Sequence, residues 1–196
     1  MESYNADLRG VKSQRKSLAD KMLLQNNYSC QLSELVDIIK GKQLNADTLS
    51  EVGDYYVMNG GISPSGYYSD YNVPAGAISI SEGGNSCGYV QFNEEPFWSG
   101  GHCYSLQLKQ SIVDYKYLYY FLKAKQTDVM ALRIGSGLPN IQKKDIEKFT
   151  VTYPSLQRQE QIVKALDALS CKITAEKQLV EKYCQQKNYL LSRMFI

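Results

Sequence analysis

From Ile162 onward the apolar residues step alternately by four and three, through Ile162, Leu166, Leu169, Ile173, Val180, Tyr183, Leu190 and Met194. Only Glu176 and Lys187 interrupt that register, so eight of ten seam positions are apolar, and no proline or glycine breaks the run. This is the pattern of a coiled-coil seam. At about 1.5 Å per residue such a helix is roughly 60 Å long, more than a small domain buries along its side. A solvated single helix would leave the seam in water, so a second helix is required, from this chain or from another copy. The eight apolar seam residues are therefore the candidate dimerisation contacts.

Upstream of Pro154 the period changes. Short β-like runs at Tyr55–Met58, Ala77–Ile80, Tyr89–Phe92, Tyr104–Leu108 and Phe149–Tyr153 alternate with turns rich in Gly, Pro, Asn and Ser, the pattern of a sheet-rich domain. Helices are predicted at Gln31–Ile39, at Tyr115–Lys125 with Asp114 as N-cap, and around Lys143–Lys148. A polar helical pattern, with Leu8, Val11, Leu18 and Met22 on one face, occupies Asp7–Gln25 and stops at Asn26-Asn27. The expected fold is α+β: a β-rich domain with short helices (28–153), preceded by a short N-terminal helix (1–27) and followed by the long coiled-coil helix (154–196).

A short internal repeat links the two helical ends. Laying Lys12–Leu24 over Cys184–Ile196 matches Gln14 with Gln186, Leu18 with Leu190 and Met22 with Met194, and pairs Arg15 with Lys187 and Lys21 with Arg193. The N-terminal helix thus reads as the tail of a preceding copy of the long helix.

Composition narrows the function. The chain is 43% hydrophobic and 21% charged with a net charge of only +2, so binding to nucleic acid must come from a local basic patch rather than a global one. The polar start and the lack of any apolar run near 20 residues argue against a signal peptide or membrane span and for a cytoplasmic protein. The five cysteines, scattered and without a C-x-x-C pair, fit reduced thiols and give no metal template. Most of the 16 tyrosines are assigned to strand and helix packing.

No phosphate loop, dinucleotide fingerprint, methyl-transfer tetrapeptide or nuclease carboxylate cluster is present. The pattern thus gives no catalytic, metal-ligating or cofactor-binding residue, apart from one alternative. His102, the only histidine, with Cys87 leaves a Cys–His hydrolase geometrically open. Another alternative is a coiled-coil adaptor whose head binds protein.

Four polar small-residue loops point elsewhere: Asn59-Gly60-Gly61, Ser81-Glu82-Gly83-Gly84-Asn85-Ser86, Ser99-Gly100-Gly101-His102 and Gly135-Ser136-Gly137. Such loops bring backbone amides close to phosphates, while Asn, Ser and His side chains bond to base edges. With Lys40, Lys42, Arg133, Lys143 and Lys144 they make a groove-binding surface.

The segments Ser136-Gly137-Leu138-Pro139-Asn140-Ile141, Pro154 through Gln161-Ile162-Val163, and Leu190-Leu191 through Met194-Phe195 resemble, in that order, the specificity subunit of type I restriction–modification enzymes. Glu160 supplies the acidic residue which that family places before the glutamine of Gln161. Ile39–Lys42, Ser81–Gly84 with Gly88-Tyr89-Val90, and Phe97–His102 are similar to its target recognition domain. The resemblance implies a target recognition domain at 28–153 on a helical spacer that sets the gap of a bipartite site. It further implies double-stranded DNA and the methyltransferase subunits as partners, with the restriction subunit reached through them. Family members carry two such domains, so one domain here implies a half-subunit completed as a homodimer, or the C-terminal half of a longer protein. Lys40, Lys42, Lys143 and Lys144 are then expected on phosphates, Asn59, Ser81, Asn85, Ser86 and His102 near the bases, and Gly60 and Ser136 also among the DNA-binding residues.

Overall fold

Alternating apolar and polar side chains build the central sheet of the computed structural model, which describes Gly10, Ser13, Ser17, Ala19 and residues 21–23, 28–135 and 137–194, the last without its side chain. Four antiparallel strands form that sheet in the order β2 (Val36–Lys40), β8 (Cys103–Leu108), β5 (Ala77–Ser81) and β6 (Val90–Asn93). Because side chains along a strand point to opposite faces, Ile78 and Ile80 of β5 and Tyr104 and Leu106 of β8 share one face. There they join Leu118, Phe121 and Leu122 of helix α2 (Tyr115–Ala124) and Val129 of helix α3 (Gln126–Ala131) in the main core. The alternate positions Ala77 and Cys103 enter a smaller core with Met58, Val73 and Phe97. That second layer is a three-stranded sheet of β4 (Tyr67–Tyr68), β3 (Tyr55–Met58) and β7 (Phe97–Ser99), with β3 and β7 parallel. Covered on both sides, all five residues of β5 are buried.

Polar groups in the buried sheet are matched. Asn93 Nδ2 donates to the Ala77 carbonyl and to Ser79 Oγ, both at 2.9 Å, and its Oδ1 accepts from the Tyr56 hydroxyl at 3.2 Å. Burial pushes the Tyr56 phenol up to about 12, with the nearby Glu95 and Glu94 carboxylates adding to it. The hydroxyl stays protonated and available as a donor.

The first structured turn differs from expectation. Only Leu32–Leu35 is helical (α1), closed by a capping box between Gln31 and Glu34, and the chain then turns directly into β2. The predicted helix over Gln31–Ile39 fails because Val36 and Ile38 bury every second position while Asp37 and Ile39 stay exposed. That is a strand period, and branched Val and Ile favour it. Asp37 is held by Lys109 at 3.0 Å. The five predicted strands are all present with ends shifted by at most one residue. Strand β1 (Tyr28–Gln31), β4 and β7 were not predicted; β1 pairs with β9 (Thr150–Tyr153), and the rings of Tyr28 and Tyr153 stack at 5.7 Å.

Helix α5 (Leu156–Met194) is continuous for 39 residues, about 58 Å at 1.5 Å per residue. Its first turns are joined to the domain through Gln159, which is fully buried. Gln159 Oε1 accepts from the Asp114 amide at 2.7 Å, and its Nε2 donates to the Pro154 and Ile112 carbonyls at 2.9 and 3.2 Å. Asp114 in turn caps α2 by accepting from the Tyr117 amide. The structurally engaged glutamine is therefore Gln159; Gln161 lies exposed, bonded to Arg158 at 3.0 Å.

The seam divides into two parts. Ile162 and Leu166 are fully buried in the domain's own core, each worth about 2–3 kcal/mol of burial. They stabilise this chain rather than a partner, which corrects their assignment as dimerisation contacts. Asp167 accepts from the Tyr120 hydroxyl and pairs with Lys116 at 3.1 Å, fixing α5 beside α2. Ile173 is buried, and Leu169 and Val180 are half-buried. Beyond them Tyr183 and Leu190 are exposed, as are Leu179 and Leu191.

At the other end of the chain, the described residues among 10–23 are helical, and Leu23 enters the main core with Ala19 and Met22 against it. Leu8, Val11, Leu18, Asn26, Asn27, Ser136 and the Met194 side chain lie outside the described residues.

Candidate nucleic-acid interface

Each strand of the two sheets that ends near Ser81 runs into a glycine, and the backbone there closes on its neighbours. The Glu82 amide donates to the His102 carbonyl at 2.9 Å, Gly100 to Met58 at 2.8 Å, and Gly41 to Cys103 at 2.9 Å. Lys42 donates its amide to the Ser99 carbonyl at 2.8 Å. The turn Pro139–Ile141 clasps the Glu82 loop from the far side: Gly84 donates to Pro139 at 3.0 Å and Ile141 to Glu82 at 2.9 Å. Five segments far apart in sequence, 40–42, 59–60, 81–84, 100–102 and 139–141, thus form one rim.

Small residues make that convergence possible. A Cβ on Gly41 would sit 2.3 Å from the carbonyl oxygens of Ser99 and Gly100, which are backbone and have no way to move aside. Gly60 takes a positive φ of 84°, and a Cβ there would press on His102 Cβ at 3.1 Å. Asn59 anchors the same turn, its Oδ1 accepting from the His102 amide at 3.0 Å.

At the centre of the rim lies Glu82, only 4% exposed. Its Oε1 accepts from Lys40 Nζ at 2.8 Å and from the Tyr104 hydroxyl at 2.7 Å. Its Oε2 has no hydrogen-bond partner and stands 3.7 Å from His102 Nδ1. Burial, then the hydrogen bond to Glu82, pushes the Tyr104 phenol up, so it remains a donor to the carboxylate. Lys40 and His102 are themselves exposed, with 55% and 61% of their side chains open to solvent.

The predicted contacts fall into four groups. Lys40, Lys42, Asn59, Gly60 and His102 share the rim. Asn85 is exposed and Ser86 half-buried on the adjoining turn, where the Ser86 carbonyl accepts from the Tyr89 amide at 2.8 Å. Lys143 and Lys144 are exposed on α4 (Lys143–Glu147), immediately after the clasping turn; Lys143 pairs with Glu147 at 3.7 Å. Ser81 differs from expectation, being 4% exposed with its hydroxyl donated to the Gly60 carbonyl at 2.6 Å. It frames the loop rather than facing a ligand. Glu82 and Tyr104 were missed, because their partners stand 42 and 22 positions from Glu82 and nothing local marks the loop as folding inward.

The Cys87 thiol lies fully buried and donates to the Glu82 carbonyl at 2.9 Å, and burial raises its pKa. A cysteine nucleophile needs an accessible thiolate, so the geometry runs against the Cys–His hydrolase. Cys103 is likewise buried, its thiol pushed up to about 11. Among the described residues no cluster of His, Cys, Asp and Glu is arranged to hold a metal, and no helix is long and apolar enough to cross a membrane.

The family model described as "Type I restriction modification DNA specificity domain" matches residues 26–182. A Mycoplasma genitalium protein described as type I specificity subunit S.MgeORF438P is 27% identical over 191 residues, covering 91% of this chain and 49% of that protein. The crystal structure of a type I restriction–modification S subunit from M. genitalium superposes with a TM-score of 0.83 at 21% identity, over 100% of this chain and 56% of that one. The HsdS subunit of Thermoanaerobacter tengcongensis gives a TM-score of 0.66 at 18% identity, over 91% of this chain and 48% of that one. The chain thus spans about half the length of the relatives it matches.

Proposed function

The chain belongs to the type I restriction modification DNA specificity family, and from that premise we propose that it is a non-catalytic reader of double-stranded DNA, recognising one half of a bipartite target. The observation that carries this reading is the rim itself. Five loop segments converge with Lys40, Lys42, Asn59 and His102 at one edge of the domain, and Lys143 and Lys144 follow directly on α4. Lysines position the backbone of the duplex, while Asn59, Asn85, Ser86 and His102 approach base edges.

Helix α5 serves as the ruler. Two copies pairing along its distal half, from Val180 to Leu190, place two rims on one duplex, and a symmetric pair reads an inverted repeat. The same helical region, with the domain, docks methyltransferase subunits and through them the restriction subunit. Such a reader works in the cytoplasm.

Phosphate contacts reveal themselves through salt. Each lysine that neutralises a phosphate contributes about 0.9 to the slope of log affinity against log salt. Replacing Lys40, Lys42, Lys143 and Lys144 together with glutamine is expected to flatten that slope by about 3.6 and to weaken binding on all sequences alike. Fluorescence anisotropy across a salt series measures it. An unchanged affinity and slope would remove these lysines from the interface.

A further inference from the structure

Glu82 is the group at the rim that DNA contact alone does not explain. A carboxylate facing a polyanion repels it, yet this one is buried beneath the loops. One oxygen is saturated by Lys40 and Tyr104, while Oε2 has no hydrogen-bond partner and lies 3.7 Å from His102 Nδ1. A buried acceptor left unmatched is costly, so a proton on Nδ1 is favoured over a lone pair there. The imidazole is seated by its neighbours: a Cβ on Gly60 would lie 3.1 Å from His102 Cβ, and one on Gly83 would lie 3.8 Å from Nδ1. The His102 amide is tied to Asn59 at 3.0 Å. With Nδ1 turned to Glu82, Nε2 is the ring nitrogen left for a ligand.

We propose that Glu82 is a positioning residue that sets the tautomer of His102 and thereby decides which base His102 reads. This rests on the DNA-reading function proposed above. In a neutral imidazole one nitrogen donates and the other accepts. A proton held on Nδ1 toward Glu82 leaves Nε2 as an acceptor. An acceptor pairs with a base that presents an amino group in the major groove, adenine N6 or cytosine N4. Replacing the carboxylate by a carboxamide reverses the polarity. In Glu82→Gln the amide carbonyl can still accept from Tyr104, while its NH2 donates to Nδ1. The proton moves to Nε2, which then pairs with an acceptor, guanine O6 or N7, thymine O4 or adenine N7, and no longer with cytosine N4. Lys40, more than half exposed, is left to solvent and needs no new partner.

The test is selection from a random duplex library with the wild-type chain, His102→Ala and Glu82→Gln, each in complex with its methyltransferase subunit. The position read by His102 is the one whose preference His102→Ala flattens. There the wild type is expected to favour adenine or cytosine over guanine and thymine by roughly five- to tenfold, and Glu82→Gln to gain guanine and thymine and to lose any preference for cytosine. A purely structural role for Glu82 would lower affinity on every sequence and leave that preference as it was. Such a result overturns the proposal, as does a His102→Ala profile identical to wild type. Thermal melting of Glu82→Gln confirms that the variant is folded. If the wild type itself selects no sequence, the DNA-reading function fails, and that outcome is distinct from either of the others.

Discussion

Replacing Gln159 by leucine is expected to destabilise the protein by about 3 kcal/mol and to lower its melting temperature by about 10 °C. The side chain is fully buried where the long helix meets the domain. Leucine is close in volume, so the effect comes from polarity rather than from a cavity. The change strands the Asp114 amide and the Pro154 and Ile112 carbonyls, all of which Gln159 satisfies. A buried donor or acceptor left without a partner costs about 1–3 kcal/mol. Asp114 also caps α2, so the loss spreads to the helix against which α5 packs. Gln161→Leu is the control: that side chain is exposed and bonded only to Arg158 among the described contacts, and it should shift stability by no more than about 0.5 kcal/mol. Calorimetry distinguishes the two. Equal melting temperatures would mean that the join does not depend on this glutamine.

The second large effect concerns the distal half of α5. On the proposed pairing, glutamate at both Tyr183 and Leu190 is expected to leave the protein a monomer and to weaken binding to a two-part target by about a hundredfold. Tyr183 and Leu190 hold seam positions where the helix is open to solvent, at 46% and 52% exposed. Charges on such a seam must be desolvated if two helices pair, whereas on a single helix they remain in water. Monomer stability should therefore be untouched, unlike that of the Gln159 variant. The binding loss follows from connection: linking two heads raises avidity by about 10²–10⁴ without any new contact. Binding of one head to one half-site should survive. Analytical ultracentrifugation reads the mass against the 22.2 kDa chain; wild type and variant sedimenting alike would exclude this seam as the dimer contact.

How much of this was legible depends on whether a residue's partners lie nearby in the chain. The long helix was readable because its seam repeats every three or four residues, and the strands because alternation shows within five. Asp114 was readable as a cap because its partner, the Tyr117 amide, is three residues away. The Gln31–Ile39 segment misled because a one-turn helix passes straight into a strand, and two periods share one apolar run. The division of the seam was hidden for another reason. Ile162 and Leu190 look alike in a heptad, and only tertiary packing places the first in the core and leaves the second half in water.

The rim shows the same rule. Glycine-rich loops announced themselves, and the candidates Lys40, Lys42, Asn59 and His102 lie together at the rim in the structure. Ser81 was misplaced because a serine in a polar loop has the same local signature whether it faces water or, as here, the Gly60 carbonyl. The Glu82 carboxylate turns inward to Lys40 and Tyr104, partners supplied by other strands. No window of sequence contains all three.

The central claim, that one rim reads half of a gapped target and two rims act together, is tested most directly by selecting bound duplexes from a random library with the chain and the proposed methyltransferase partner. Enrichment of an inverted repeat with a fixed gap, whose half-sites stand a whole number of turns apart on one face of the duplex, is the predicted result. No enriched sequence with the partner present would contradict it.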